Sequence, residues 1–277
     1  MSNPTPLPVL RLVAESLHDV FGNLGGLVRI AWAYYALATL FAVLGLWLAG
    51  SGVLGDTVAA LVGGGTAQLI LSLAVLACIV AWQRHVLVAA PLRGIAPLNG
   101  RVLRYGLWSF LLTVLCCLPI LAAGLLGAAT GLIWTNEGGT TPFSLGTGGV
   151  ALLSLGAVVA LVLFVRLNIV LPAISADDPA IGLRRAWALT EGHGLRLCGL
   201  FLLLLVGLWL LGALAGLAEA LVGAIATTTA EGELVSAPSP AAMVAGMALN
   251  TGLDLLTAMI GASITARVYQ HLAPTAG

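Results

Sequence analysis

Apolar positions gather into six long runs along the chain, at about 30–49, 66–83, 105–133, 149–166, 197–222 and 241–266. Each is close to, or beyond, the roughly 20 mostly apolar residues that a helix needs to cross a bilayer. None shows the alternation of apolar and polar positions that marks a half-buried strand. Inside a membrane every backbone N–H and C=O must be paired within the protein, so these runs are expected to be helices. Turn-forming stretches separate them in pairs: GSGVLGDTVAALVGGG (residues 50–65), TNEGGTTPFSLGTGG (135–149) and GAIATTTAEGELVSAPSP (223–240). The pattern predicts an all-α integral membrane protein of six transmembrane helices, arranged as three helical hairpins. A cytoplasmic amphipathic helix within residues 1–28 would precede this single membrane domain, which fills residues 29–277.

Two shorter segments read differently. Near the N-terminus Val9, Leu10, Val13, Ala14, Leu17, Val20 and Phe21 share one helical face, and Arg11, Glu15, His18 and Asp19 the other; Leu12 alone breaks the pattern. In residues 179–191, Asp178-Pro179 makes a good helix start and Gly192 or Gly194 a good stop. Ala180, Leu183, Ala186, Trp187 and Thr190 then fall on one side, with Arg184, Arg185 and Glu191 around the other. Both segments are too short to span and are expected to lie along the inner membrane surface. The connection AAPLRGIAPLNGR (89–101), broken by Pro91 and Pro97, is expected to be a loop.

Composition sharpens this picture. Hydrophobic residues make up 60% of the chain and charged residues 8%, about a third of the charge of a soluble domain. A net charge of zero removes the basic surface that binding nucleic acid requires. Lysine is absent. All 11 basic residues are arginines, at 11, 29, 84, 93, 101, 104, 166, 184, 185, 196 and 267, and all fall on one side of the predicted spans. The opposite loops carry Asp56, Glu137, Glu231 and Glu233. Basic residues stay in the cytoplasm, which places both termini and every arginine on the inner side. With a composition resembling that of GC-rich bacteria and no cleavable leader, the expected location is the bacterial inner membrane. Each odd run begins just after an arginine and each even run ends near one, so the three hairpins read as a coarse repeat. Selection for topology would produce the same arrangement.

The stretch VRLNIVLPAISADDPAIGLRRAWALTEGHGLRL (165–197) resembles the hallmark of the glycerophosphoryl diester phosphodiesterase membrane-domain family. The matching positions are Arg166, Pro172, Asp177 or Asp178, Arg185, Trp187, Leu189, Thr190 and Gly192, whereas Ala186 stands where the family usually has serine. The C-terminal RVYQHL is loosely similar to the family's tyrosine-containing end. Some members are fused to a catalytic phosphodiesterase barrel, which nothing in this chain could encode. The resemblance therefore implies a stand-alone membrane module.

Catalytic chemistry is not visible in the sequence. The four histidines (18, 85, 193 and 271) have no metal-binding spacing, no phosphate loop or nucleophile motif occurs, and no cofactor is expected. Cys78, Cys116, Cys117 and Cys198 read as small buried residues. The polar residues within spans are more notable. Asn250, Asp254, Thr257, Gly261 and Thr265 share a face of the sixth run that is expected to point into the bundle. Glu219 accompanies Gly212, Gly216 and Gly223 on a small-residue face expected to draw another span against it. Asp254 reads either as a structural carboxyl group or as part of a transport site. The structural reading is preferred, because transport sites recruit several charged groups and broken helices. The leading functional reading is a non-enzymatic module in which Arg166, Arg184, Arg185, Trp187 and Arg196 engage anionic lipid. Its partners would be lipids, and a membrane protein or further copies of itself are also compatible. The alternative is a small transporter or channel using Asn250, Asp254, Thr257 and Glu219.

Overall fold

The computed structural model describes residues 8–51, 55, 57–58, 61–92, 94–130, 133–134, 144–179, 182–227 and 240–273. Within its helices it describes all side chains except those of 46, 215, 218–227 and 240–249. The elements in chain order are α1 (Val9–Gly22), α2 (Leu24–Ser51), α3 (Leu61–Val88), α4 (Gly100–Ala129) and α5 (Thr147–Leu167). They are followed by α6 (Val170–Ser175), α7 (Leu183–Leu189), α8 (Gly194–Thr227) and α9 (Pro240–Leu272).

Five segments among the described residues are long and apolar enough to cross a membrane: Leu24–Ser51, Leu61–Val88, Gly100–Ala129, Thr147–Ser175 and Gly194–Leu214. Only 11–28% of their most apolar windows is buried inside the protein. Leu69, Leu107, Leu125, Leu155 and Trp209 stand uncovered. Apolar surface on this scale needs hydrocarbon rather than water around it. The chain is a multi-pass helical membrane protein. Its sixth apolar run lies in α9.

Contacts divide the molecule into two compact units. One contains residues 9–97 and 200–267. Here α2 and α3 run antiparallel, with Gly63 against the backbone of Gly45 and the Cys78 thiol 3.9 Å from the Ile30 carbonyl at the other end of the pair. A Cβ at Gly63 would collide with the Gly45 Cα and lie 3.2 Å from the Phe41 carbonyl oxygen, so only glycine permits this approach. Polar groups tie other elements together. The Trp82 indole N–H donates to Ser263 Oγ (2.6 Å), Gln83 Nε2 donates to Thr265 Oγ1 (3.2 Å), and the Tyr35 hydroxyl donates to the Thr251 carbonyl (3.4 Å). The loop at 89–99 is pinned by the Tyr34 hydroxyl donating to the Ala96 carbonyl and by the Ala96 N–H donating to the Ile30 carbonyl.

The other unit contains residues 98–199 and those from 268 onward. Asn99 caps α4, its side chain accepting from the N–H groups of Arg101 and Val102 (3.1 and 3.2 Å). Helices α4 and α5 pack antiparallel where Gly156 meets Pro119 and Ala123: a Cβ at Gly156 would stand 2.9 Å from the Pro119 oxygen. The third run was expected to extend to residue 133, but α4 ends at Ala129. Ile133 and Trp134 instead pair antiparallel with Leu145 and Ser144. A two-residue ladder satisfies backbone groups there that a longer helix would have used.

Two short helices complete the fold, and the second departs from its expected bounds. In α1 the buried residues are Leu12, Ser16 and Val20, while Leu10 and Phe21 are exposed. Leu12 lies on the buried face with Val20 of the apolar stripe; Leu10, Ala14 and Phe21 of that stripe are exposed, and Val9, Val13 and Leu17 are half-buried. The reason is Asp19, one residue before Val20, whose carboxylate pairs bidentately with Arg267 (2.8–3.0 Å) and turns that side of the helix inward. The short helix expected at 179–191 is only Leu183–Leu189, capped by Gly182 rather than Asp178. Asp178 is engaged elsewhere, and Ala180 and Ile181 lie outside the described residues.

Candidate functional site

The turns between α5 and α8 bring charged residues together. Arg166, in the last turn of α5, lays its guanidinium over the Trp187 ring of α7, with Cζ 4.3 Å from the ring centroid. This cation–π contact fixes the plane of the guanidinium. Ala186 and Thr190 are fully buried beneath α7, and the Thr190 hydroxyl donates back to the Ala186 and Trp187 carbonyls (3.0 and 2.9 Å). Arg184, Arg185 and Trp187 face outward. Gly192 then turns the chain with φ +79° into α8, where Arg196 is exposed. Of the five residues read as an interface, the structure joins Arg166 to Trp187 and leaves Arg184, Arg185 and Arg196 uncovered around them.

The loop after α6 is held by two carboxylates that the sequence did not single out for contacts. Asp177, at φ +59°, accepts two bonds from the Arg101 guanidinium (2.7 and 2.6 Å). Asp178 accepts from the Tyr269 hydroxyl (2.8 Å). Tyr269 is 5% exposed, and burial together with the Asp178 carboxylate raises its phenol above the ordinary range. The adjacent acids and the C-terminal tyrosine were both visible in the sequence. Their pairing across 91 residues was not.

Within α9 the inward stripe is Thr251, Leu255, Met259, Ala262 and Ala266, not the expected Asn250, Asp254, Thr257, Gly261 and Thr265. Apart from Thr257 and Met259, two positions apart, the stripes differ by one residue, about 100° around the helix. Asn250 and Asp254 are exposed, Thr257 is half-buried, and Thr265 bonds Gln83. The helix is apolar nearly all round, so its polar residues could not indicate which side packs; Leu255 and Met259 decide that. The Glu219 side chain lies outside the described residues, as do Asp56, Glu137, Glu231 and Glu233. Among the described residues, a Cβ on Gly212 or Gly216 meets no atom within 4 Å. Among the described residues no cluster of His, Cys, Asp or Glu is placed to hold a metal.

The fold and these contacts define a helical membrane protein with a charged, tryptophan-containing turn region at the end of α5. Comparison of the chain with protein-family models, with curated proteins and with solved structures finds no match.

Proposed function

We propose that this protein is a non-enzymatic module of the bacterial inner membrane that engages anionic lipid. In this reading six spans form three hairpins, both termini are cytoplasmic, and α7 lies at the inner membrane surface. The observation that carries it is the stacking of Arg166 on Trp187, with Arg184 and Arg185 exposed on the same short helix. Tryptophan prefers headgroup depth, and each arginine near an anionic surface contributes about 1 kcal/mol of attraction. The contact of Asp178 with Tyr269 supports the resemblance to the glycerophosphoryl diester phosphodiesterase membrane-domain family, because it joins the two segments on which that resemblance rests.

The test is native mass spectrometry of the protein released from membranes containing phosphatidylglycerol. Wild type is expected to retain anionic lipid, and the Arg184→Gln/Arg185→Gln double variant to retain markedly less while still inserting. Equal retention by both would remove α7 from the lipid-binding surface.

A further inference from the structure

Among the described residues, two buried side-chain polar atoms have no hydrogen-bond partner: Nε of Arg166 and Nδ1 of His193. Both lie at the start of α8. His193 is the N-cap of this helix, because its carbonyl accepts from the Leu197 N–H (3.0 Å). It is only 7% exposed. Arg166 approaches the same turn from α5: its Nη2 and Nε stand 3.1 and 3.6 Å from where a Cβ on Gly194 would be. A Cβ at 194 would make the guanidinium give way by a few tenths of an ångström.

The rest of the turn has matching chemistry. The first N–H groups of α8 have no acceptor within the helix, and the partial positive charge of the helix end adds to that of Arg166. Leu195 is 91% exposed and Arg196 is exposed, while Nε of Arg166 and Nδ1 of His193 are buried on the inner side of the turn. No carboxylate among the described residues pairs with Arg166. The Thr190 hydroxyl is committed to its own helix. What remains without an anion is the Arg166 guanidinium, the first N–H groups of α8 and the His193 imidazole, which donates from Nδ1 in the form protonated there. A planar carboxylate suits a single guanidinium fork, whereas backbone N–H groups and a guanidinium together suit the tetrahedral oxygens of phosphate.

We propose that the start of α8 is a phosphate-binding site, in which Arg166, His193 and the first-turn N–H groups of α8 hold one phosphate group. That group would come from an anionic lipid headgroup or from a soluble phosphate compound. The site deepens the lipid reading above and rests on it for the lipid source. It differs from surface attraction in depending on geometry at Gly194 rather than on the number of arginines.

The experiment uses the full-length protein in non-ionic detergent with ¹⁵N-labelled arginine. The Arg166 Nε–H resonance is followed during titration with dihexanoyl phosphatidylglycerol, inorganic phosphate or hexanoate. Phosphatidylglycerol is expected to shift it. Gly194→Ala, which keeps every charge, and Arg166→Lys, which keeps the charge but not the fork, should each weaken phosphatidylglycerol retention by about fivefold or more. Retention by Arg166→Lys is read by native mass spectrometry. A shift with inorganic phosphate as well shows that the phosphate group itself is recognised. A shift with phosphatidylglycerol alone assigns the site to lipid, and one with inorganic phosphate alone assigns it to a soluble compound. An equal response to hexanoate overturns the phosphate assignment. If no ligand moves the resonance while wild type still retains anionic lipid, the site is refuted and the broader lipid reading stands. Absence of both signals refutes both.

Discussion

Single residues carry several consequences here. His193 is buried, and that burial, with Arg196 and His271 nearby, holds its imidazole below the ordinary value of 6.5. The folded protein therefore binds this proton less readily than the unfolded chain, so stability falls as pH drops through the ordinary histidine value. Thermal denaturation in detergent should show a lower midpoint at about pH 5.5 than at about pH 7.5, and His193→Gln should flatten that dependence. Tyr269→Phe removes one donor to Asp178 and should cost about 1–3 kcal/mol, measured as a lower midpoint. Asp254 is a different case, exposed and one residue off the packed stripe of α9. Asp254→Asn and Asp254→Leu should both leave the described helix packing intact. Loss of a proton- or ion-coupled flux in proteoliposomes by a well-folded Asp254→Asn would instead point to transport.

At the scale of elements, glycine contacts set the helix pairs. Gly63→Ala would drive a methyl group into the Gly45 backbone, so α2 and α3 must separate, at about 1–3 kcal/mol. Gly212→Ala meets nothing and should be neutral or slightly stabilising, which makes it the control in the same melting experiment. The apolar runs in the sequence made the long helices legible, because length and hydropathy alone require them. Packed faces were not legible in the same way. In α1 a salt bridge to Arg267, far along the chain, adds Leu12 and Ser16 to Val20 on the buried side. In α9 the choice fell to Leu255 and Met259, which look like any other apolar residues in sequence. The candidate site was half visible: Arg166 and Trp187 stood out by type, whereas the roles of His193 and Gly194 depend on where α5 ends relative to α8.

For the whole molecule, the proposed orientation makes a direct prediction. Single cysteines at Thr57, Thr140 and Ser236 should react with an impermeant maleimide from the periplasmic side, in a background without the four native cysteines. Labelling only after the inner face is opened would reverse the topology. Increasing salt should weaken anionic-lipid retention by the exposed Arg184 and Arg185 more than retention by any occupied, partly buried Arg166 site, since screening acts mainly on exposed charge.

The pair formed by Asp19 and Arg267 also constrains the order in which the protein can be completed. Asp19 is translated 248 positions before its partner. Until Arg267 has been made, α1 has to wait without the contact that seats it. An interrupted chain lacking Arg267 would leave the Leu12–Ser16–Val20 face without its anchor, and α1 should then be open to added protease. Protection of α1 from proteolysis would thus report that the helix carrying Arg267 had been made and packed.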